Sequence, residues 1–300
     1  MALRPIDNAL PISPDNPRLK KHAKVSIQTQ KRAPEVGLND ENKAPLPQPV
    51  DASVDYMASE NLEPFEDPES NIQSLVEGLD SKDWVTVCGS LNFVRRFAIY
   101  HSGLLLPVLE KVMLVIVKAM KNPRSALCKT SIMAASDIFD ALGEKLLDSS
   151  AFDQLLLQLL LKASQDKKFV CEEANKSLTA LVNSIAPLPL LNQLHGFVNH
   201  GNLRVRAKAA VSISNSVSKM GSEEIGEFGL VSLLQMASDL LNDRLPEARE
   251  AARSIVFSVH NAFTENEKSN PRAAWQSFCE TNLSTIQAQS MLKVLSSSSQ

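Results

Sequence analysis

Aromatic residues are scarce in this chain, 5% of it against 44% hydrophobic residues overall, so its core is built from Leu, Val, Ile and Ala. Tandem helical repeats have that profile, and aromatic-rich β-sandwiches do not. A basic excess is also missing. The formal net charge is −3, which excludes a general nucleic-acid binder. The four cysteines, Cys88, Cys128, Cys171 and Cys279, form no CxxC pair and follow no secretory signal. They read as buried reduced thiols in helices, which implies a reducing, intracellular setting. Leu104 to Met120 is the most apolar run, but at about 17 residues, with Glu110, Lys111 and Lys118 inside it, it reads as a buried helix and not a membrane span.

Catalytic signatures are missing as well. There is no GxGxxG, GxxxxGK[ST], GxSxG or HExxH. The histidines at 22, 101, 195, 200 and 260 show no paired ligand spacing, and His195 and His200 straddle a helix end as capping or solvated groups. Glu172-Glu173 and Glu223-Glu224 read as first-turn acids favouring helix N-termini. The chain is therefore expected to be no enzyme, with no metal, cofactor or small-molecule substrate.

Residues 1–69 hold ten of the sixteen prolines, few large apolar residues and no sustained period. They are expected to be a disordered arm. Arg18, Lys20, Lys21, Lys24, Lys31 and Arg32 make its first half basic, and acids from Asp40 to Glu69 make its second half acidic. The basic half suits attraction to an acidic partner, an ordinary solvated tail or an import-like patch.

From Ser70 onward the chain reads as helix after helix. The periodicity predicts pairs 70–79 with 83–101, 104–120 with 124–142, 151–164 with 168–186, 188–199 with 203–220 and 228–241 with 246–264. Helices near 271–283 and 285–295 close the domain of 70–295, and 296–300 is a flexible tail. The second helices begin near Trp84, Ser125, Phe169, Val205 and Ala248, a recurrence of about 40 residues, and bury matching apolar and small residues. A two-helix unit of this length cannot cover its own apolar face, so neighbours stack into one core. The expected fold is an all-α superhelix of HEAT/ARM-like repeats.

In such a stack the loops inside the pairs emerge along one edge. They read Lys82-Asp83-Trp84; Lys121-Asn122-Pro123-Arg124-Ser125; Asp166-Lys167-Lys168-Phe169; Asn202-Leu203-Arg204-Val205-Arg206; and Asn242-Asp243-Arg244-Leu245. Each supplies a Lys or Arg although residues 71–300 are nearly neutral, so the edge is expected to be positive and to meet a negative surface. Trp84 ends the row, either folded back over the first repeat or turned outward as an interface anchor; outward is the expectation. Asn122-Pro123 and Asn202 also suit plain turn and capping roles.

A first loop reading SKDW, a second reading KNPRSAL and a later N-x-RVRAKAA helix resemble the TOG domains of the CLASP and crescerin kind, over about residues 70 to 285. That resemblance implies tubulin binding through the loop edge, with Lys82 and Trp84 in the first loop and Asn122, Arg124 and Ser125 in the second. It also implicates Lys167 and Lys168 in the third, Asn202 and Arg204 in the fourth, and Arg244 in the fifth. Many such relatives carry several TOG domains in series, whereas this sequence holds one and no sustained heptad run. The implied role is regulation of microtubules, in the cytoplasm and on the cytoskeleton, with tubulin as partner and a recruiting protein beside it. No nucleic acid or membrane partner is expected. The alternative is a general α-solenoid adaptor holding another protein in its groove.

Overall fold

The computed structural model describes residues 56–265 and 270–296. Thirteen α-helices appear among them, joined by short turns and four single-turn 3-10 segments. Five antiparallel pairs make the body: α1 (Pro68–Leu79) with α2 (Trp84–Leu105), α3 (Leu109–Met120) with α4 (Ser125–Leu142), α5 (Phe152–Lys162) with α6 (Lys168–Ser184), α7 (Pro187–His195) with α8 (Leu203–Val217), and α10 (Leu230–Leu241) with α11 (Pro246–Glu265). A short α9 (Ser222–Phe228) precedes the fifth pair, and α12 (Pro271–Asn282) and α13 (Thr285–Ser296) close the array. Among the described residues no helix is long and apolar enough to cross a membrane.

The second helices stack on one another, α2 on α4, α4 on α6 and α8 on α11. Their buried stripes recur at helical spacing: Val87, Leu91, Val94 and Ala98 in α2; Val170, Ala174, Leu178 and Leu181 in α6; Val205, Ala209, Ile213 and Val217 in α8. Alanine and serine recur because these helices are contacted on several sides. Gly78 shows how tight this is, since a Cβ there would stand 2.1 Å from the Ser90 hydroxyl of the facing helix. Ala141 and Phe263, near the ends of α4 and α11, are only partly buried. The α4 helix stops at Gly143, whose φ of +50° needs no Cβ and lets the chain turn against the Ser184 carbonyl.

The expected helix 104–120 divides. The backbone of α2 leaves helical angles at His101, resumes to Leu105, and then makes a 3-10 turn over Leu106–Val108 before α3 begins. Pro107 sits in the first turn of that segment, where its missing N–H costs nothing. The α9 helix is outside the expected pairs, although Glu223 and Glu224 do stand in its first turn as expected, whereas Glu172 and Glu173 lie beyond the first turn of α6; Gly221 before α9 and Gly229 after it (φ +109°) frame a segment too short for a period to be read.

Residues 56–67 correct the expected extent of the arm. They lie as a strap across α2 and α4, with Leu62 and Phe65 buried. The strap is held through its backbone. Arg95 Nη1 donates to the Met57 carbonyl at 2.7 Å, Arg96 Nε to that of Glu63 at 2.6 Å, and Tyr100 Oη to that of Leu62 at 2.5 Å. Phe65 packs its ring on Phe97, centroids 4.7 Å apart, while the Arg96 guanidinium covers it at 3.7 Å. Beneath, Arg95 and Asp137 form a buried ion pair at 2.6 Å, completed by the Ser59 hydroxyl, which donates to Asp137 at 2.7 Å. The rest of the expected arm, 1–55, lies outside the described residues, as does the tail from 297.

The thiols are unpaired, with Cys88, Cys128 and Cys279 buried and Cys171 half-buried. Burial pushes the Cys88 and Cys128 thiols up, and that of Cys279 up to about 12. Such groups stay protonated and act as small apolar side chains.

Candidate functional site

Each second helix begins at the same edge, and its start is fixed by a recurring device. A side-chain oxygen accepts the backbone N–H two residues on: Asp83 from Val85 at 3.3 Å, Asn122 from Arg124 at 2.9 Å, Asn202 from Arg204 at 2.9 Å, and Asp243 from Leu245 at 2.8 Å. In α2 and α8 these bonds cap N–H groups that a helix start leaves unpaired, and in the second and fifth loops they brace the turn just before the helix. Asn122 and Asn202 thus spend their carboxamide oxygens on the loops' own shape. The third loop has Lys167 at the cap position and no side-chain cap.

Contacts between successive loops make the row continuous. Arg124 lies over the Trp84 ring, 5.5 Å from its centroid. Lys167 Nζ donates to Ser125 Oγ at 3.0 Å. Arg204 reaches back to Asp166 at 2.6 Å and to the Ser164 carbonyl at 3.1 Å, and Arg206 pairs with Asp243 at 3.0 Å. Residues about one repeat apart in sequence are therefore neighbours at every step. A cleft of about 550 Å³ opens between the second, third and fourth loops, lined by Lys121, Ser125, Lys162, Asp166, Lys167 and Arg204.

The charge along this edge is not even. Second helices point their positive N-termini here while first helices bring their negative C-termini, so the dipoles oppose and side chains decide the sign. Among the described residues Lys82, Lys121, Arg124, Lys167 and Arg244 have no carboxylate at ion-pair distance. Lys168 has Glu172 at 3.7 Å, both exposed, so that pair is weak. In the fourth loop, by contrast, Arg204 is tied to Asp166 and Arg206 to the nearly buried Asp243. An unpaired cation in every loop is therefore not what the structure holds. The first three loops carry the free charge, together with Arg244.

Trp84 is neither core nor fully outward. Its ring is half-buried against the first repeat's apolar residues, with the rest capped by the exposed Arg124. The neighbouring Asp83 is held below the usual carboxylate range by hydrogen bonds from Thr86 and Val85 and by the Arg124 charge. Of the expected residues Lys82, Arg124, Lys167, Lys168, Asn202, Arg204 and Arg244 are exposed, and Trp84, Asn122 and Ser125 half-buried. Sequence reasoning passed over two exposed apolar side chains on the same edge, Val85 and Phe169. Their signal was present: each directly follows the first residue of a second helix. Among the described residues no cluster of His, Cys, Asp and Glu has the makings of a metal site.

The profile described as CLASP N terminal matches residues 101–274, more than half of the sequence. The chain belongs to that family. Mouse TOG array regulator of axonemal microtubules protein 1 is 29% identical over 241 residues, covering 79% of this chain and 13% of the mouse protein. The human protein of the same name is 31% identical over 138 residues, 46% of this chain and 8% of that one. The chain thus spans a small part of the relatives it matches. Among solved structures, the TOG domain of Zyg9 from C. elegans superposes with a TM-score of 0.56 at 15% identity, over 77% of this chain and 87% of that one. The MAST/Orbit N-terminal domain superposes at 0.53 and 13% identity, over 79% and 99%. At that identity the likeness establishes the fold, a HEAT/TOG-type solenoid.

Proposed function

We propose that this chain is a TOG domain that binds tubulin through its loop edge and so regulates microtubules on the cytoskeleton. The observation that supports this most directly is the continuous row in which Arg124 covers the half-buried ring of Trp84, followed by the unpaired Lys121 and Lys167. An aromatic anchor beside exposed cations suits a partner with an acidic surface, and a Trp or Arg in such a position is often worth about 2 kcal/mol or more. The relatives whose names concern axonemal microtubules point to the same class of partner. Lys82, Trp84, Arg124, Ser125, Lys167, Lys168 and Arg244 make the contact in this reading. Asn122 and Asn202 shape the loops, and Arg204 contributes through its link to Asp166.

Association steered by these charges weakens with salt. The deciding experiment is co-elution with tubulin. Trp84→Ala combined with Arg124→Ala abolishes it while far-UV circular dichroism and the melting temperature stay close to wild type. Normal binding by the double variant, or none by the wild type, refutes the proposal. An adaptor that held its partner over the second helices would first have to displace the strap 56–67 from α2 and α4, so the free edge is the better candidate.

A further inference from the structure

The loop edge carries two exposed apolar side chains at helix starts. Val85 is 39% exposed and Phe169 43%. They occupy the same register: Val85 follows Trp84, the first residue of α2, and Phe169 follows Lys168, the first residue of α6. The same position holds Ala126 in α4 and Arg204 in α8. Arg204 extends along the edge to the preceding loop, which indicates where a side chain at this position lies. Helices in contact are spaced by about 10 Å, so Phe169 stands roughly 20 Å along the row from the Trp84–Val85 end. Between them lie Lys121, Arg124 and Lys167, and beside Phe169 opens the cation-lined cleft.

We propose that Phe169 is a second apolar anchor of the tubulin contact, in the third loop. The proposal rests on the tubulin reading above and adds to it a site where the acidic partner presents an apolar spot flanked by carboxylates. The third loop suits this role. No side-chain oxygen caps its helix start, its lysines are exposed, and Lys168 is held only by a surface pair with Glu172. Two anchors on separate repeats also fix the partner's angle along the row, which one tryptophan with diffuse charges does not.

The test is the tubulin dissociation constant of the full chain at low and at raised salt, for wild type, Trp84→Ala, Phe169→Ala, Phe169→Lys and Lys167→Ala with Lys168→Ala. Phe169→Ala weakens binding by roughly tenfold, as expected when an aromatic gives up its remaining contact area. That ratio is the same at both salt concentrations, whereas the lysine variant's deficit shrinks as salt rises. Phe169→Lys separates the mechanisms. An edge acting by charge alone binds more tightly with the added cation; an apolar anchor binds less tightly. Melting curves of both Phe169 variants near wild type exclude misfolding as the cause. Tight binding by Phe169→Lys, or a Phe169→Ala constant unchanged where Trp84→Ala is weakened, overturns this proposal alone. A wild type that does not bind tubulin overturns it together with the reading it rests on.

Discussion

Replacing Asp137 by alanine tests the strongest claim about how the domain begins. Arg95 is fully buried and Asp137 is 7% exposed, and the pair sits between α2 and α4 with the strap closing it from above. The Arg95 guanidinium also meets the Met57 carbonyl, the Ser59 hydroxyl and Asn92. Burial raises the Asp137 carboxyl's pKa and outweighs the pull of the hydrogen bonds from Ser59 and Arg95, so desolvation consumes much of what the pair gains. For that reason the informative change removes one partner and strands the other. A buried charge left unpaired costs about 3–5 kcal/mol. At the roughly 2–4 °C per kcal/mol usual for a domain of this size, Asp137→Ala lowers the melting temperature by about 6–20 °C. Arg95→Met with Asp137→Leu removes both charges and melts well above either single variant, because nothing is stranded. The assay is thermal unfolding followed at 222 nm, with limited proteolysis of residues 56–67 as a check on strap release. If Asp137→Ala melts within about 2 °C of wild type, or the two single changes simply add, the knot does not hold the strap and the argument fails.

Four further outcomes are expected from the same packing and hydrogen bonds. Gly143→Ala is destabilising by more than about 1 kcal/mol in denaturant titration, because φ is +50° and the new Cβ meets the Ser184 carbonyl at 2.7 Å. Gly78→Ala lowers stability through its clash with Ser90, and adding Ser90→Ala restores much of it by removing the hydroxyl that stands 2.1 Å away. Asp67, Asp83 and Glu110 are held below their ordinary pKa by hydrogen bonds, so they bind fewer protons folded than unfolded. Their contribution is complete above the ordinary carboxylate range and is lost as pH falls through the lowered values. Melting temperature therefore drops below about pH 4, and Asp83→Asn makes the drop shallower. Asp166→Asn releases Arg204 from its ion pair and tightens tubulin binding at low salt, an effect that Arg204→Ala cancels.

The helices were legible because the code for them is dense. A 3.6-residue period repeats over many turns, and a recurrence near 40 residues repeats five times, so errors in one unit are corrected by the others. The strap was hidden for the opposite reason. Between 56 and 67 only Leu62 and Phe65 among its side chains are buried, and three prolines or acids follow closely on each other at Glu63, Pro64 and Glu66. What anchors the strap is its carbonyl oxygens, taken up by Arg95, Arg96 and Tyr100, and a carbonyl has no sequence signature. The same arginines, read in sequence, are ordinary polar residues of a helix. The short α9 escaped because seven residues contain fewer than two full turns, too few to show a period.

At the edge, sequence shows which charges are present and not which are spent. Aligning the loops places Lys82, Arg124, Lys167 and Arg204 on one line, and they look equivalent there. The fold separates them, because a side chain one repeat away is as close as the next residue. Asp166 lies about 40 positions before Arg204 in sequence but 2.6 Å from it in space. Asp243 stands in the same relation to Arg206, and its near-complete burial marks that pair as part of the scaffold. Removing Arg206 would unseat the fifth loop, whereas removing Arg124 uncovers a tryptophan and leaves every backbone bond of the second loop in place. The row thus divides: the fourth-loop arginines, Arg204 and Arg206, link successive loops, while among the described residues Lys82, Lys121, Arg124, Lys167 and Arg244 have no carboxylate at ion-pair distance. Which cations on this edge are free is set by where its carboxylates lie, and moving one carboxylate is enough to change it.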